Sequence, residues 1–220
     1  MKPQAIIFDA YGTLFDVHSI VHRVPGISGD LAALSQLWRQ KQVEYTWRRA
    51  LMKRYADFWE VTAEALRSAA HQLRIHASEE ALHSLMAAYL SPDAFADVRT
   101  GLDALKEFPF AILSNGSPKM LEAAVRANGL DSFFTHVISV DEVKTYKPSP
   151  EVYELGTRTL GQSAEKTLFV SSNAWDAAGA KAFGYRVCWC NRSGEAMDCL
   201  GFDPDFTVNG LDRIAKSIAG

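Results

Sequence analysis

With 220 residues, 48% of them hydrophobic and 22% charged, the chain has a globular composition and enough length for one core carrying a smaller insertion. A formal charge of −3 gives no electrostatic basis for holding nucleic acid or an anionic membrane surface, and no apolar run approaches the roughly 20 residues a membrane-spanning helix needs. The start, Met1-Lys2 leading straight into a strand-like segment, lacks the apolar stretch and cleavage site of a signal peptide.

Ala5-Ile6-Ile7-Phe8 is a continuously apolar run that stops at Asp9, as expected of a strand covered on both faces in a parallel sheet. The stretch from about 17 to 95 is predicted to be helical. Leu31, Leu34 and Trp38 recur at three- and four-residue steps, Ser28-Gly29-Asp30 offers a helix start, and no strand is expected there. Ala111-Ile112-Leu113 is again a short apolar run, ending at Ser114. A helix is expected over 118–128, with Ser117 as its cap and Pro118 in its first turn, and another over 150–160. Thr167-Leu168-Phe169-Val170 predicts a strand ending at Ser171, 173–183 a helix, and Arg186 to Trp189 a further strand. Cys188 and Cys190 would share a face of that last strand. Cysteines two apart are poorly placed for a disulfide, so these two and Cys199 point to a reduced, cytoplasmic setting.

Strands alternating with helices from residue 100 onward predict an α/β fold: a Rossmann-like parallel sheet flanked by helices, with an inserted helical cap (lid) subdomain. The expected division is a core of residues 1–15 and 96–220 and a cap of 16–95.

In an open parallel sheet, ligands sit outside the carboxyl ends of the strands. Those ends carry Asp9, Ser114-Asn115-Gly116-Ser117 and Ser171-Ser172-Asn173. Free amides at turns and helix starts suit a small anion, although Ser, Asn and Asp at such junctions are mostly helix caps. Asp9 is harder to explain as a cap, because Tyr11-Gly12-Thr13 after it must turn the chain sharply.

Four segments carry a resemblance: Asp9-Ala10-Tyr11-Gly12-Thr13-Leu14, Leu113-Ser114-Asn115-Gly116, Lys147-Pro148 and Ser171-Ser172-Asn173-Ala174-Trp175-Asp176. Their order and spacing are similar to the four motifs of the haloacid dehalogenase superfamily. The likeness is greatest to the L-2-haloacid dehalogenases and extends into the lid through Leu37-Trp38-Arg39-Gln40. It implies hydrolysis of (S)-2-haloacids to (R)-2-hydroxyacids plus halide, through an ester on Asp9 that water then cleaves. Phosphatases of the superfamily carry a second Asp two residues after the nucleophile, to protonate a leaving oxygen. Tyr11 stands there, and a halide needs no proton. They also hold Mg²⁺ with acidic residues at the end of the fourth motif strand, where Ser172 stands and only Asp176 remains acidic. With a carboxylate lost and Lys147 close to Asp9, neither a metal nor any other cofactor is expected.

By the same resemblance Asp9 is the nucleophile, Thr13 orients it, and Arg39 and Asn115 face the departing halide. Ser114 holds the substrate carboxylate with Lys147, and Tyr153 is a partner of Lys147. Ser171, Asn173 and Asp176 position and activate the water. Which of those three is the base stays open, since Lys147 could instead neutralise Asp176. Tyr11, Gln40, Val43, Phe58 and Trp175 resemble pocket-lining positions. Without the motifs, Arg39 would read as a surface ion pair, Lys147 as a loop lysine, and the aromatics Trp38, Tyr45, Trp47, Phe58 and Trp59 as plain core. His18 and His22 stand four apart, but no carboxylate completes a metal set. The partners expected are a small 2-halocarboxylic acid and, from family habit, a second copy of the chain, with no nucleic acid and no membrane. The alternatives are a Mg²⁺-dependent phosphatase of the same superfamily and a non-catalytic small-carboxylate binding protein.

Overall fold

The computed structural model describes residues 2–219. In chain order it runs β1 (Ala5–Phe8), β2 (Phe15–Asp16), α1 (Leu31–Met52), α2 (Phe58–Gln72), α3 (Glu79–Ala88), β3 (Asp93–Ala94) and α4 (Val98–Ala104). Then follow β4 (Phe110–Ser114), α5 (Pro118–Ala127), β5 (Phe134–Ser139), α6 (Pro150–Leu160), β6 (Thr167–Ser171), α7 (Ala174–Phe183), β7 (Arg186–Cys190), β8 (Phe206–Val208) and α8 (Ile214–Ala219). Six strands form one sheet in the order β5-β4-β1-β6-β7-β8, with every pair parallel.

β1, β4 and β6 are buried at every position, which is why each reads as an unbroken apolar run. The chain builds outward from β1 to β4 and β5, then returns to add β6 on the other side. The carboxyl ends of β1, β4 and β6 therefore lie side by side where the winding reverses, and a ligand crevice opens at such a point.

Helix starts follow the local chemistry. Asp30, Asp57 and Ser78 each accept a hydrogen bond from the backbone N–H three residues on, capping α1, α2 and α3. Ser117 and Ser149 take the cap position of α5 and α6 with extended backbone and proline behind them, yet neither side chain makes the capping bond. Gly161 and Gly184 stop α6 and α7 in the left-handed conformation.

The expectation of no strand between 17 and 95 needs correcting. Asp93–Ala94 pairs antiparallel with Phe15–Asp16, and Phe95 N–H donates to the Leu14 carbonyl. The chain leaves for the three helices and comes back along this ribbon, so two neighbouring crossings satisfy each other's backbone. Two-residue strands carry no alternation that a sequence could display. β5 and β8 were likewise not anticipated; both lie at sheet edges and are only partly buried, so their apolar signal is diluted.

Candidate active site

Asp9 begins the turn after β1 and is 5% exposed. Gly12 holds φ at +91°, a left-handed value that lets the chain double back, so that Thr13 Oγ1 donates to Asp9 Oδ2 at 2.9 Å. The Asn173 amide, from the junction of β6 and α7, donates to the same oxygen at 2.9 Å and to the Tyr11 carbonyl at 3.2 Å. Lys147 Nζ donates to Asp9 Oδ1 at 2.9 Å. One carboxylate thus faces an ammonium, a hydroxyl and an amide, all from different segments.

Lys147 is completely buried and lies equally close to Asp176 Oδ2, at 2.9 Å. Burial pulls its pKa down, but the combined attraction of Asp176 and Asp9 outweighs this, and the value lies above the ordinary 10.5. Asp176 is also fully buried; burial raises its pKa, and the pull of Lys147 and the Tyr153 hydroxyl only partly offsets that. Tyr153 O–H donates to Asp176 Oδ1 at 2.8 Å. Tyr153 therefore reaches the Lys147 ammonium through Asp176, and both Asp176 oxygens are engaged, one by Tyr153 and the other by the ammonium it shares with Asp9. The lysine main chain is fixed as well, since its N–H donates to Asn115 Oδ1 at 2.9 Å.

From α1, the Arg39 guanidinium donates to the Tyr11 carbonyl at 3.1 Å and to Asn173 Oδ1 at 3.3 Å, so a permanent cation from the helical insertion lies beside the turn that carries Asp9. Gln42 holds it there: its Oε1 accepts from Arg39 Nη1 at 2.7 Å and from the Tyr89 hydroxyl at 3.1 Å, and its Nε2 donates to Thr62 Oγ1 at 2.6 Å. Gln42 is fully buried, whereas Gln40, the glutamine singled out from the sequence, lies on the exposed side of α1. The signal for Gln42 was its step of four from Trp38, which puts it on the inward face.

Ser114 and Ser171 are buried, and each accepts a backbone N–H two residues ahead, from Gly116 and Asn173. The Tyr11 ring packs among Phe15, Phe58 and Tyr89, with centroids 5.4 to 6.2 Å away. Its hydroxyl is the one buried side-chain polar atom among the described residues without a hydrogen-bond partner. Burial pushes its pKa well up, so it stays a neutral O–H. Val43 is buried on α1. Trp175 meets Trp47 edge to face at 5.6 Å across a groove that Lys147 and Pro148 also line. Trp38 donates to the Thr62 carbonyl and Tyr45 to Ser68, so much of the aromatic set is packing between α1 and α2. His18 bonds Ser35, and no group of three His, Cys, Asp or Glu side chains among the described residues is arranged to hold a metal ion.

Residues 3–184 match the family model of haloacid dehalogenase-like hydrolases. The chain belongs to that family. Among its relatives it is 48% identical to haloacetate dehalogenase H-2 of Moraxella sp. (strain B), covering 99% of both chains. It is 45% identical to the (S)-2-haloacid dehalogenase of Pseudomonas sp. (strain YL), over 97% of this chain and 93% of that one. It also superposes on the L-2-haloacid dehalogenase of Xanthobacter autotrophicus with chloropropionic acid covalently bound, at a TM-score of 0.91 and 38% identity over 99% of each chain. Within this haloacid dehalogenase-like framework, the segments that surround Asp9 are the four singled out from the sequence, joined by Arg39 from the insertion.

Besides Gln42, a second contributor went unrecognised. Arg192, just past the end of β7, donates to the Thr13 carbonyl at 2.9 Å and to the Ser172 hydroxyl at 3.0 Å. Its signal was the one that marks Asp9: a charged side chain at the carboxyl end of an apolar strand.

Proposed function

We infer that the protein is an (S)-2-haloacid dehalogenase that releases halide and an (R)-2-hydroxyacid through an ester on Asp9. The observation that carries this reading is the setting of Asp9, a buried carboxylate whose two oxygens are held by Lys147, Thr13 and Asn173. Attack on C2 requires a carboxylate aimed in line with the carbon–halogen bond, and three donors from separate segments fix that aim before substrate arrives. Arg39 supplies positive charge beside the site, where a halide leaves as an anion that needs no proton. Water then attacks the ester carbonyl and returns Asp9, so C2 is inverted once.

The donor set also supports a reaction without metal or other cofactor. Asn173 and Arg39 occupy the Tyr11 carbonyl, and Arg192 stands against Ser172, where the phosphatase branch of the family carries an acidic ligand. A guanidinium there disfavours a divalent cation. Asp176, tied to Lys147 and Tyr153, serves first as the counter-charge of the buried ammonium. Any role as base requires it to release one of those partners. Ser114, Asn115, Phe58 and Trp175 are assigned to the substrate side, with residues 1–15 and 96–220 as core and 16–95 as cap. Two of the three cysteines are buried and none is paired, which supports a reducing, cytoplasmic location. The chain is further proposed to act as a homodimer. A sedimenting species of only 24.3 kDa at micromolar concentration would remove that point.

One turnover in ¹⁸O-water with excess enzyme tests the mechanism. The label should enter the Asp9 peptide and be absent from the first hydroxyacid formed. Label in that first product would mean direct attack by water, and the ester mechanism would fall. Comparing chloroacetate with (S)-2-chloropropionate would show whether the haloacetate named for one relative is also a substrate.

A further inference from the structure

We propose that Arg192 is a positioning residue for the nucleophile, coupling the ribbon that leads to and from the helical insertion to the hydroxyl that orients Asp9. The inference rests on the dehalogenase reading above and assigns a residue to that same site.

The guanidinium ties three segments that are distant in sequence. Its Nε lies 3.1 Å from both oxygens of Asp97, and Nη2 is 3.0 Å from Asp97 Oδ2, a forked ion pair at the start of α4. Its Nη1 donates to Ser172 Oγ at 3.0 Å and its Nη2 to the Thr13 carbonyl at 2.9 Å. The flat face rests 4.1 Å from the ring centroid of Phe95, the residue whose N–H bonds Leu14 at the end of the β2–β3 ribbon. Asp97 Oδ2 also accepts the Leu211 N–H at 2.6 Å. The cation therefore sits where the chain enters and leaves the helical insertion, anchored to the core.

The path to the nucleophile is short. Thr13 Oγ1 accepts the Ser172 N–H at 2.8 Å, which leaves its own hydrogen for Asp9 Oδ2 at 2.9 Å. Arg192 binds the carbonyl of one member of this pair and the hydroxyl of the other, so it fixes the spacing that directs the Thr13 hydrogen. Lysine carries its three donors on a single atom, so it lacks the planar fork that grips Asp97 while separate nitrogens reach Thr13 and Ser172. Removing the guanidinium lets the Thr13 and Ser172 turns drift apart, and a displacement of about 1 Å at a reacting group can cost on the order of 10²-fold in rate.

The test is single-turnover ester formation from (S)-2-chloropropionate, followed by rapid quench and the mass of the Asp9 peptide. Arg192→Met and Arg192→Gln should slow ester formation about 10- to 100-fold with KM changed less than about threefold. Arg192→Lys should fall between them and the parent, and guanidinium ion should partly restore the Met variant. In a Thr13→Val background, Arg192→Met should add little, because the hydroxyl it positions is already gone. Lys181→Met is the control: it removes a comparably exposed ion pair, with Asp205, that makes no contact with the Asp9 turn. That variant should lose stability without losing the single-turnover rate. Full-rate ester formation in folded Arg192→Met or Arg192→Gln protein would overturn the proposal, as would equal slowing with and without Thr13. Halide release by the unaltered enzyme is a separate readout, so failure of this proposal is distinguishable from failure of the dehalogenase reading.

Discussion

Lys147 stands between two carboxylates at 2.9 Å each with no exposure to solvent, so its charge is retained by neighbours and not by water. Its pKa lies above 10.5 in the folded protein, and its contribution to stability is complete below 10.5 and lost as pH rises through the higher folded value. Halide release should accordingly persist to about pH 10. An alkaline limb well below that, shifted upward in Lys147→Arg, would contradict the assignment. Loss of Asp176 leaves the ammonium facing Asp9 alone, and a positioned base typically contributes about 10²- to 10⁴-fold. Asp176→Ala should form the ester and then hydrolyse it slowly, visible as a persistent mass increment on the Asp9 peptide. Absence of both halide and increment would remove Asp176 from the hydrolytic step. The Tyr11 hydroxyl, buried without a partner, costs about 1–3 kcal/mol. Tyr11→Phe should therefore leave Tm unchanged or higher while raising KM for the haloacid. A drop in Tm of several degrees would mean the hydroxyl has a structural partner.

α7 delivers Asn173 and Asp176 from its first turn, and its distance from α6 is set by a missing side chain. A Cβ on Gly179 would lie 2.5 Å from the Tyr153 hydroxyl and 2.6 Å from Pro148 Cβ. Helix propensity alone favours alanine there by about 1 kcal/mol. The contact should reverse that sign: Gly179→Ala is expected to push Tyr153 off Asp176 and reduce turnover, most of all in ester hydrolysis. Unchanged kinetics with higher stability would show that the helices part at no cost. On the other side, α1 carries Arg39 on the strength of Gln42, a fully buried amide whose three bonds join α1, α2 and Tyr89. A polar residue on an inward helix face has the right position to be noticed, but its partners come from two other stretches of chain, and no spacing rule names them.

The sheet and the helical insertion share one continuous cluster of buried apolar side chains, running from Ile6, Phe8 and Phe110 in the sheet through Tyr11 to Trp38, Phe58 and Leu66 in the insertion. Heating should therefore unfold both together, with equal calorimetric and van't Hoff enthalpies at a fixed protein concentration. Two separable transitions would show that the insertion is stabilised by itself. The sheet and its central strands, with Asp9 and Ser114 at their ends, were readable from residue order alone, because fully buried strands and the turns that end them leave local marks: apolar runs, a carboxylate at a strand end, proline after a cap. Lys147 and Asp176 carry no such mark and stood out only through the likeness of their segments to the family motifs. The edge strands, the two-residue ribbon and the partners of Gln42 and Arg192 were not readable in that way. Each depends on segments distant in the chain meeting in space, 179 residues apart for the Arg192 to Thr13 bond, and the energy of such a meeting belongs to the packed chain and not to any stretch of it.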